Sequence, residues 1–485
     1  MDSAKKIVFC LLLLCSLSAW GRVFLHWKDS PIPPPSSLGV NDLVFYWKPG
    51  NPVSVMARAH RQGYRVYLET TVQQAKRAAE ECIRTGWTGV ILDIPGSSST
   101  ETQAAVSTLR SGYPTLEVLV LVANGKQPEM LGSIVIKQDS VLEVSSPTAQ
   151  PWINTNLATI KVEQRRRKRQ VPLYTFSWSV PEDGPQKTLT APDYALAVAE
   201  AGAFHADLVL QLDEHLQKGL NHHEADAWAL WTQIRSMMNF YSHPTERALE
   251  PAASVAVVVE ELDTSDEVLN LLARHNLPFK VLLAADLKSV DSKGADVIIV
   301  FAKPDEVMAA QIATLASLGK TVVLVDVHGR YPWQTSQPTR LNEHTVSYLV
   351  GTGAVLELSE PVTDPEVFAQ DIRRLLGKKD SLLSLWNGLT TIAVPYKDRS
   401  GALQSIEFVN YAMDPLRVQV QVKGLFTSIR YETPERGCCQ SLVPVRHDAF
   451  TEFVIPELRI AGRVHLDIQE GKSGGEGGIR TPDTR

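Results

Sequence analysis

The run Gly89 to Gly96, GVILDIPG, constrains this chain more than any other stretch: a short apolar segment stops at an acid and is followed by Pro95 and Gly96. A buried strand that delivers a carboxylate to its C-terminal end has this form. In a (β/α) barrel, that end is where the chemistry is done. Such a barrel needs strands and helices in alternation along the rest of the chain.

That rhythm is present. Asp42 to Trp47 (DLVFYW) reads as a strand, Val53 to Gln62 as a helix stopped by Gly63, and Arg65 to Thr70 (RVYLET) as a second strand. Val72 to Arg84 sets Val72, Ala75, Ala79, Cys82 and Ile83 at helical spacing, with Gly86 available as a stop. Glu117 to Val122, Val141 to Ser145, Pro172 to Ser177 and Asp207 to Leu212 continue the series at helix-length intervals. Apolar strands separated by helices predict a parallel sheet buried on both faces, with right-handed crossovers. The spacing predicts an α/β fold, a TIM-type (β/α)8 barrel over residues 41–248. Ile134 to Ile136 is a candidate eighth strand, and an incomplete barrel is the alternative.

Asn221 to His243 reads as one long helix that closes this domain. After it the alternation restarts with Val255 to Val259, Asp266 to His275, Phe279 to Leu283, Asp296 to Phe301, Pro304 to Leu318 and Thr321 to Val325. This predicts a smaller flavodoxin-like α/β domain over residues 249–380. From Leu385 short strands follow without helices, and Val418, Val420 and Val422 alternate with polar neighbours, which predicts a β-sandwich over residues 381–469. The tail, residues 470–485, is rich in glycine and charge and is expected to be disordered.

The N-terminus sets Lys5 and Lys6 before an apolar run and small residues, the order of a signal peptide, here over residues 1–21. The run is shorter than the ~20 apolar residues a membrane span takes. Export to the periplasm or the extracellular space is therefore expected, with an uncleaved anchor reaching towards Trp27 as the alternative and the sole route to membrane attachment. PIPPPSS, from Pro31 to Ser37, marks residues 22–40 as a stiff linker. Beyond the leader only Cys82, Cys438 and Cys439 remain, too few for a disulfide framework. Adjacent cysteines are not expected to bond to each other, and no further ligand stands at zinc spacing, so no metal is expected. A formal charge of −6 and a pI near 6.1 exclude a nucleic-acid partner. No glycine-rich phosphate loop opens a helix, and no cofactor is expected.

Two segments carry a resemblance: GTGAVLELSEPVTDPEVFAQDIRRLL, from Gly351 to Leu376, and LWNGLTTIAVPYKDRSGALQSIEFVNY, from Leu385 to Tyr411. With the domain order barrel, α/β domain, small β domain, they resemble the three-domain bacterial β-galactosidases, whose middle domain is similar to class I glutamine amidotransferases and serves in oligomer assembly. GVILDIPG is also similar to a strand of other bacterial barrel hydrolases, including polygalactosaminidase-like ones. The resemblance implies a glycoside-hydrolase-like barrel, a carbohydrate substrate and a homo-oligomer formed through the middle domain. Two departures stand beside it. The galactosidases carry an Asn-Glu pair at the end of the fourth barrel strand, whereas Val122 is followed by Ala123, Asn124 and Gly125. No cysteine lies between Cys82 and Cys438, so the middle domain lacks the nucleophile that glutamine hydrolysis needs.

Glycosidases need two carboxylates across the scissile bond, one kept protonated and one ionised. The strand ends supply Glu69, Asp93, Glu143, and the pair Asp213 and Glu214. Asp93 and Glu69 are the preferred catalytic pair because adjacent strands bring them close. Asp213 and Glu214 come next, one of them capping the following turn, and Glu143 is assigned to substrate contact. Trp47, Trp152 and Trp178 stand at or after strand ends and together would offer flat faces to sugar rings, although each taken singly reads more often as core; Trp87 reads as core. His215, His222, His223 and Glu224 read as solvent-facing, and Arg165 to Arg169 as a solvated helix end. Two functions are compatible with these residues: an exported glycoside hydrolase, or a non-catalytic carbohydrate-binding or envelope-assembly protein on a degenerate barrel.

Overall fold

The computed structural model describes residues 21–467, apart from residues 29, 52, 94–99, 132–133, 139–140, 146–151, 168–169, 179–187, 243–248, 261, 263–264, 288–293 and 336. All but the last residue of the expected leader, and the whole of the expected tail, lie outside the described residues.

Seven parallel strands close into a barrel: β1 (Val23–His26), β2 (Asp42–Tyr46), β3 (Arg65–Thr71), β4 (Gly89–Asp93), β5 (Glu117–Gly125), β6 (Leu173–Phe176) and β7 (Asp207–Gln211). Their order around the ring is their order in the chain. Period-two alternation sends one set of side chains inward, where Phe24, Val44, Tyr67, Ile91, Leu121, Leu173 and Val209 fill the interior. The other set packs outward against helices, Leu25, Leu43, Leu68, Leu92 and Leu208 among them.

The ring closes through β1, which pairs with β7 at Val23↔Leu208 and with β2 at Leu25↔Leu43. The expected linker over residues 22–40 therefore contains the first barrel strand. Four residues are too short to show a period, and prolines follow almost at once. Val141–Ser145, expected in the barrel, instead pairs antiparallel with Ile134–Gln138 in a hairpin outside it. Only two residues separate these runs, and a parallel crossover needs about a dozen or more. Glu129–Leu131 and Trp152–Asn154 form a second small ladder in the same excursion.

The N-terminal mouth of the barrel is closed by ion pairs: Arg22 reaches Glu117 (2.8 Å) and Asp207 (3.4 Å), and Arg65 reaches Asp42 (2.5 Å). The Tyr67 hydroxyl donates to Glu117 (2.6 Å). The Arg22 guanidinium and the Tyr67 hydroxyl hold the Glu117 carboxyl below its usual range, although burial opposes them. Gly89 opens β4 because a Cβ there would stand 2.1 Å from the Glu117 carbonyl oxygen.

The barrel helices used below are α1 (Leu157–Arg166), α2 (Ala191–Ala203), α3 (Glu214–Asn221) and α4 (Ala225–Phe240). Thr190 and Asp193 form a capping box at the start of α2. The single long helix expected from Asn221 is two, broken at His223, whose φ of 59° lies in the left-handed region. Helix α4 buries Trp231, Ile234, Met237 and Phe240, spaced three residues apart along one face. No helix among the described residues is long and apolar enough to cross a membrane.

A second sheet runs Phe279–Leu283, Val255–Val259, Val297–Val300, Thr321–Leu324 and Gly353–Leu358 in parallel, with Thr345–Val350 and Thr339–Arg340 added antiparallel. Towards the C-terminus, antiparallel sheets of six and four strands share one core: Ile406, Phe408 and Val464 of the first belong to the same cluster as Val418, Val420 and Phe453 of the second. Glu250–Pro251, just after the barrel, is an edge strand of the six-stranded sheet. Cys438 and Cys439 are bonded to each other, contrary to expectation.

A polar lock joins this C-terminal region to the barrel. Glu200, fully buried on α2, accepts from the Tyr411 hydroxyl (2.5 Å), Thr155 Oγ1 (2.8 Å) and Asn156 Nδ2 (2.7 Å). Burial raises its pKa, and these donors oppose the rise. Nearby, the Tyr396 hydroxyl donates to the Ala203 carbonyl at the end of the same helix (2.7 Å).

Candidate active site

Among the residues one inward step beyond the apolar barrel layer are His26 (β1), Tyr46 (β2), Glu69 (β3), Asp93 (β4) and Gln211 (β7). Each stands two residues after an interior apolar side chain, so alternation turns all five towards the barrel axis at its C-terminal rim. Glu69 lies beside Ile91 in register, and Asp93 beside Thr71, so Asp93 is set two residues further up the adjacent strand.

Glu69 is largely enclosed, with its side chain 13% exposed. Burial, and secondarily the charge of Asp93, raise its pKa to about 7. The half-buried Asp93 is raised too, by burial. The Asp93 charge is among the causes acting on Glu69, so the two carboxyls are electrostatically coupled across adjacent strands. His26 places Nε2 3.6 Å from Glu69 Oε2, in contact but beyond hydrogen-bond reach. Burial, then the Lys28 charge, lower the His26 pKa to about 4, so the imidazole is neutral at pH 7. Its buried Nδ1 has no hydrogen-bond partner among the described residues. The rim thus presents two carboxyls raised above their ordinary range beside a neutral imidazole.

The other expected site residues scatter. Trp178 is partly buried against the layer between strands and helices: its Nε1 donates to the Gln211 carbonyl (2.8 Å), and its ring lies edge-on to Phe176 (4.8 Å) and Tyr194 (4.9 Å). Trp47 points away from the mouth. Its backbone N–H donates to the Glu69 carbonyl (2.8 Å), but its ring is buried in the layer between strands and helices. The aromatic ring open at that strand end belongs to Tyr46, with Lys48 Nζ 5.1 Å from its centroid. Trp152 sits in the small ladder opposite Leu131, and its ring is covered by the Arg274 guanidinium at 4.7 Å. Glu143 lies in the hairpin outside the barrel, in register with Ile136.

Asp213 caps α3, accepting from Leu216 N (2.8 Å) and from the Tyr194 hydroxyl (2.7 Å). Glu214 is exposed and paired with Lys218 one turn on. Neither carboxylate faces Glu69 or Asp93 through these contacts. His215, His222, His223 and Glu224 are exposed, as read from the sequence, and His223 stacks 6.2 Å from Trp228. Arg166 and Arg167 both pair with Glu163 on α1 (3.0 Å each).

The structure therefore brings together Glu69 and Asp93 and adds two residues the sequence reading passed over, His26 and Tyr46. His26 was hidden with its strand, and Tyr46 lost to its larger neighbour Trp47. The strand count changes as well. Counted from β1, the fourth barrel strand is Gly89–Asp93, and it ends in Leu92 and Asp93.

No protein-family model matches the sequence, and no curated protein matches it. Solved structures do. α-L-Fucosidase isoenzyme 2 from Paenibacillus thiaminolyticus is similar at 13% identity, over 93% of this chain and 100% of that one, with a TM-score of 0.58. The cold-adapted β-galactosidase from Rahnella sp. R3 is similar at 10% identity, over 93% and 99%, with a TM-score of 0.56. A GH42 β-galactosidase from G. stearothermophilus is similar at 9% identity, over 93% and 98%, also with a TM-score of 0.56. At these identities the likeness concerns the fold: a TIM-type barrel followed by further sheet domains, in an arrangement that glycoside hydrolases share.

Proposed function

We propose that this chain hydrolyses glycosidic bonds at the C-terminal rim of its barrel, with Glu69 as the proton donor and Asp93 as the ionised carboxylate that acts as nucleophile or base. One observation carries this reading: adjacent barrel strands end in two carboxyls on the inward parity, and burial with the Asp93 charge raises the more enclosed one, Glu69, to about 7. Leaving-group departure from a sugar needs a proton donor that is still loaded at working pH. Asp93, closer to solvent, supplies the negative charge. Tyr46 offers an exposed ring at the same mouth for a pyranose. The names of the fold relatives, a fucosidase and β-galactosidases, support a glycan as the substrate class.

The parallel order of the second sheet supports a flavodoxin-like middle domain of the amidotransferase kind, without its cysteine and suited to oligomer assembly. The shared core of the two antiparallel sheets supports a β-sandwich. Export, by the N-terminal leader, belongs to the same reading.

A panel of aryl glycosides and oligosaccharides incubated with the purified protein tests it. Release of sugar by the wild type and none by Asp93→Asn is expected. Saturable sugar binding without turnover in the wild type would replace this reading by the non-catalytic one.

A further inference from the structure

We propose that Cys438, Cys439 and His465 form a binding site for a thiophilic cation, Zn2+ or Cu+, when the two sulfurs are reduced. The sequence keeps these residues apart, and the sheet joins them: Gly437–Leu442, Ser428–Thr433 and Ala461–Asp467 are neighbouring strands in that order. The ligand atoms of the three residues lie within 4.8 Å of one another. Adjacent residues on a regular strand point to opposite faces. Here the ladder between Ser428–Thr433 and Gly437–Leu442 shifts register between Tyr431 and Thr433, an irregularity that re-aims side chains.

The surroundings suit a metal ligand. His465 Nε2 stands 3.1 Å from Glu432 Oε2, and the same carboxylate oxygen is 3.7 Å from Arg463 Nη1. A carboxylate against one ring nitrogen fixes the imidazole's orientation and raises the basicity of the other, the arrangement found behind metal-binding histidines. Cys438 is exposed, and Cys439 and His465 are half-buried, so an ion can reach the site from solvent. Two thiolates and an imidazole select borderline and soft cations over Mg2+ or Ca2+, and leave a fourth position open. The site belongs to the C-terminal sheet, in a different part of the fold from Glu69 and Asp93.

In the structure the sulfurs are bonded to each other. Opening that bond takes two electrons and two protons. A phosphine reductant supplies them by becoming its oxide with oxygen from water, which leaves two thiols. The incoming cation then displaces the thiol protons.

The test uses the full chain, reduced with a phosphine under anaerobic conditions and titrated with Co2+ as a spectroscopic probe. Zn2+ and, separately, Cu+ with a chromophoric competitor are then titrated, and the tighter of the two identifies the ion. One equivalent of Co2+ with a thiolate-to-cobalt charge-transfer band is expected, displaced by Zn2+ and absent from the oxidised protein. Cys438→Ser with Cys439→Ser abolishes the band, and Cys82→Ala keeps it. His465→Gln, which keeps a hydrogen-bonding side chain beside Glu432, weakens binding by at least about tenfold. Equal binding by the oxidised protein, unchanged affinity in His465→Gln, or no stoichiometric binding overturns the proposal.

Discussion

His26 Nε2 stands 3.6 Å from Glu69 Oε2 at the barrel mouth, with both groups uncharged between about pH 4 and pH 7. The imidazole is therefore no counter-ion to Glu69, and burial, with the Asp93 charge second, keeps the carboxyl loaded where a free glutamic acid would have lost its proton.

Catalysis that needs protonated Glu69 declines as pH rises through about 7, the pKa at which the donor empties. Activity also falls on the acid side, as Asp93 takes up its proton above the ordinary carboxylate value. His26→Ala admits water, lowers the Glu69 pKa and moves the alkaline limb down by roughly one pH unit. A pH–rate profile of kcat/KM for both proteins checks this, and an unmoved alkaline limb would remove His26 from that role.

Glu69 also sets a stability signature. Its folded pKa of about 7 lies above the ordinary 4.5, so the native state holds a proton that the unfolded state gives up, and stability falls as pH rises from about 4.5 to about 7. The full difference corresponds to roughly 3 kcal/mol at about 1.4 kcal/mol per pH unit. Glu69→Gln keeps the shape without the charge. It is expected to be inactive and, above pH 7, more stable than the wild type, with the gap closing towards pH 4. Urea titrations at both pH values measure it.

Asp93→Asn abolishes hydrolysis while leaving the fold intact, because Asp93 is half-buried at a strand end and no ion pair among the described residues includes it. Circular dichroism and the melting temperature should match the wild type. Turnover at the wild-type rate in this variant would end the catalytic assignment.

Tyr411→Phe removes the hydroxyl that stands 2.5 Å from Glu200 and 2.9 Å from Thr155. A fully buried carboxyl then loses one of its donors. A loss of about 2 kcal/mol is expected in chemical denaturation, with no change in the pH–rate profile. A loss below about 0.5 kcal/mol would mean that Thr155 and Asn156 suffice to hold Glu200.

The alternation of strands and helices made the barrel and the second sheet legible, and strand ends pointed to Glu69 and Asp93. What the sequence hid has physical causes. Val23–His26 is too short for periodicity to register. Val141–Ser145 has the composition of a buried strand, yet its partner lies two residues away, so the local hairpin won over the barrel. Trp47 and Tyr46 are adjacent, and strand parity, not ring size, decides which faces the mouth. Cys438 and His465 are joined only across an intervening strand, a relationship that spacing along the chain does not encode.

The pairing Val23↔Leu208 has a consequence for how the molecule is made. Arg22 and Asp207, which meet at that seam, are 185 residues apart in sequence. A chain emerging in order forms an open sheet first, with β1 as one free edge and the newest strand as the other, and the cylinder shuts only when β7 arrives. Contacts of such separation are slow to form. Until they do, two unpaired edges are available to other chains. Chaperone demand and losses to aggregation should therefore concentrate in the interval before residue 211 is free to pair.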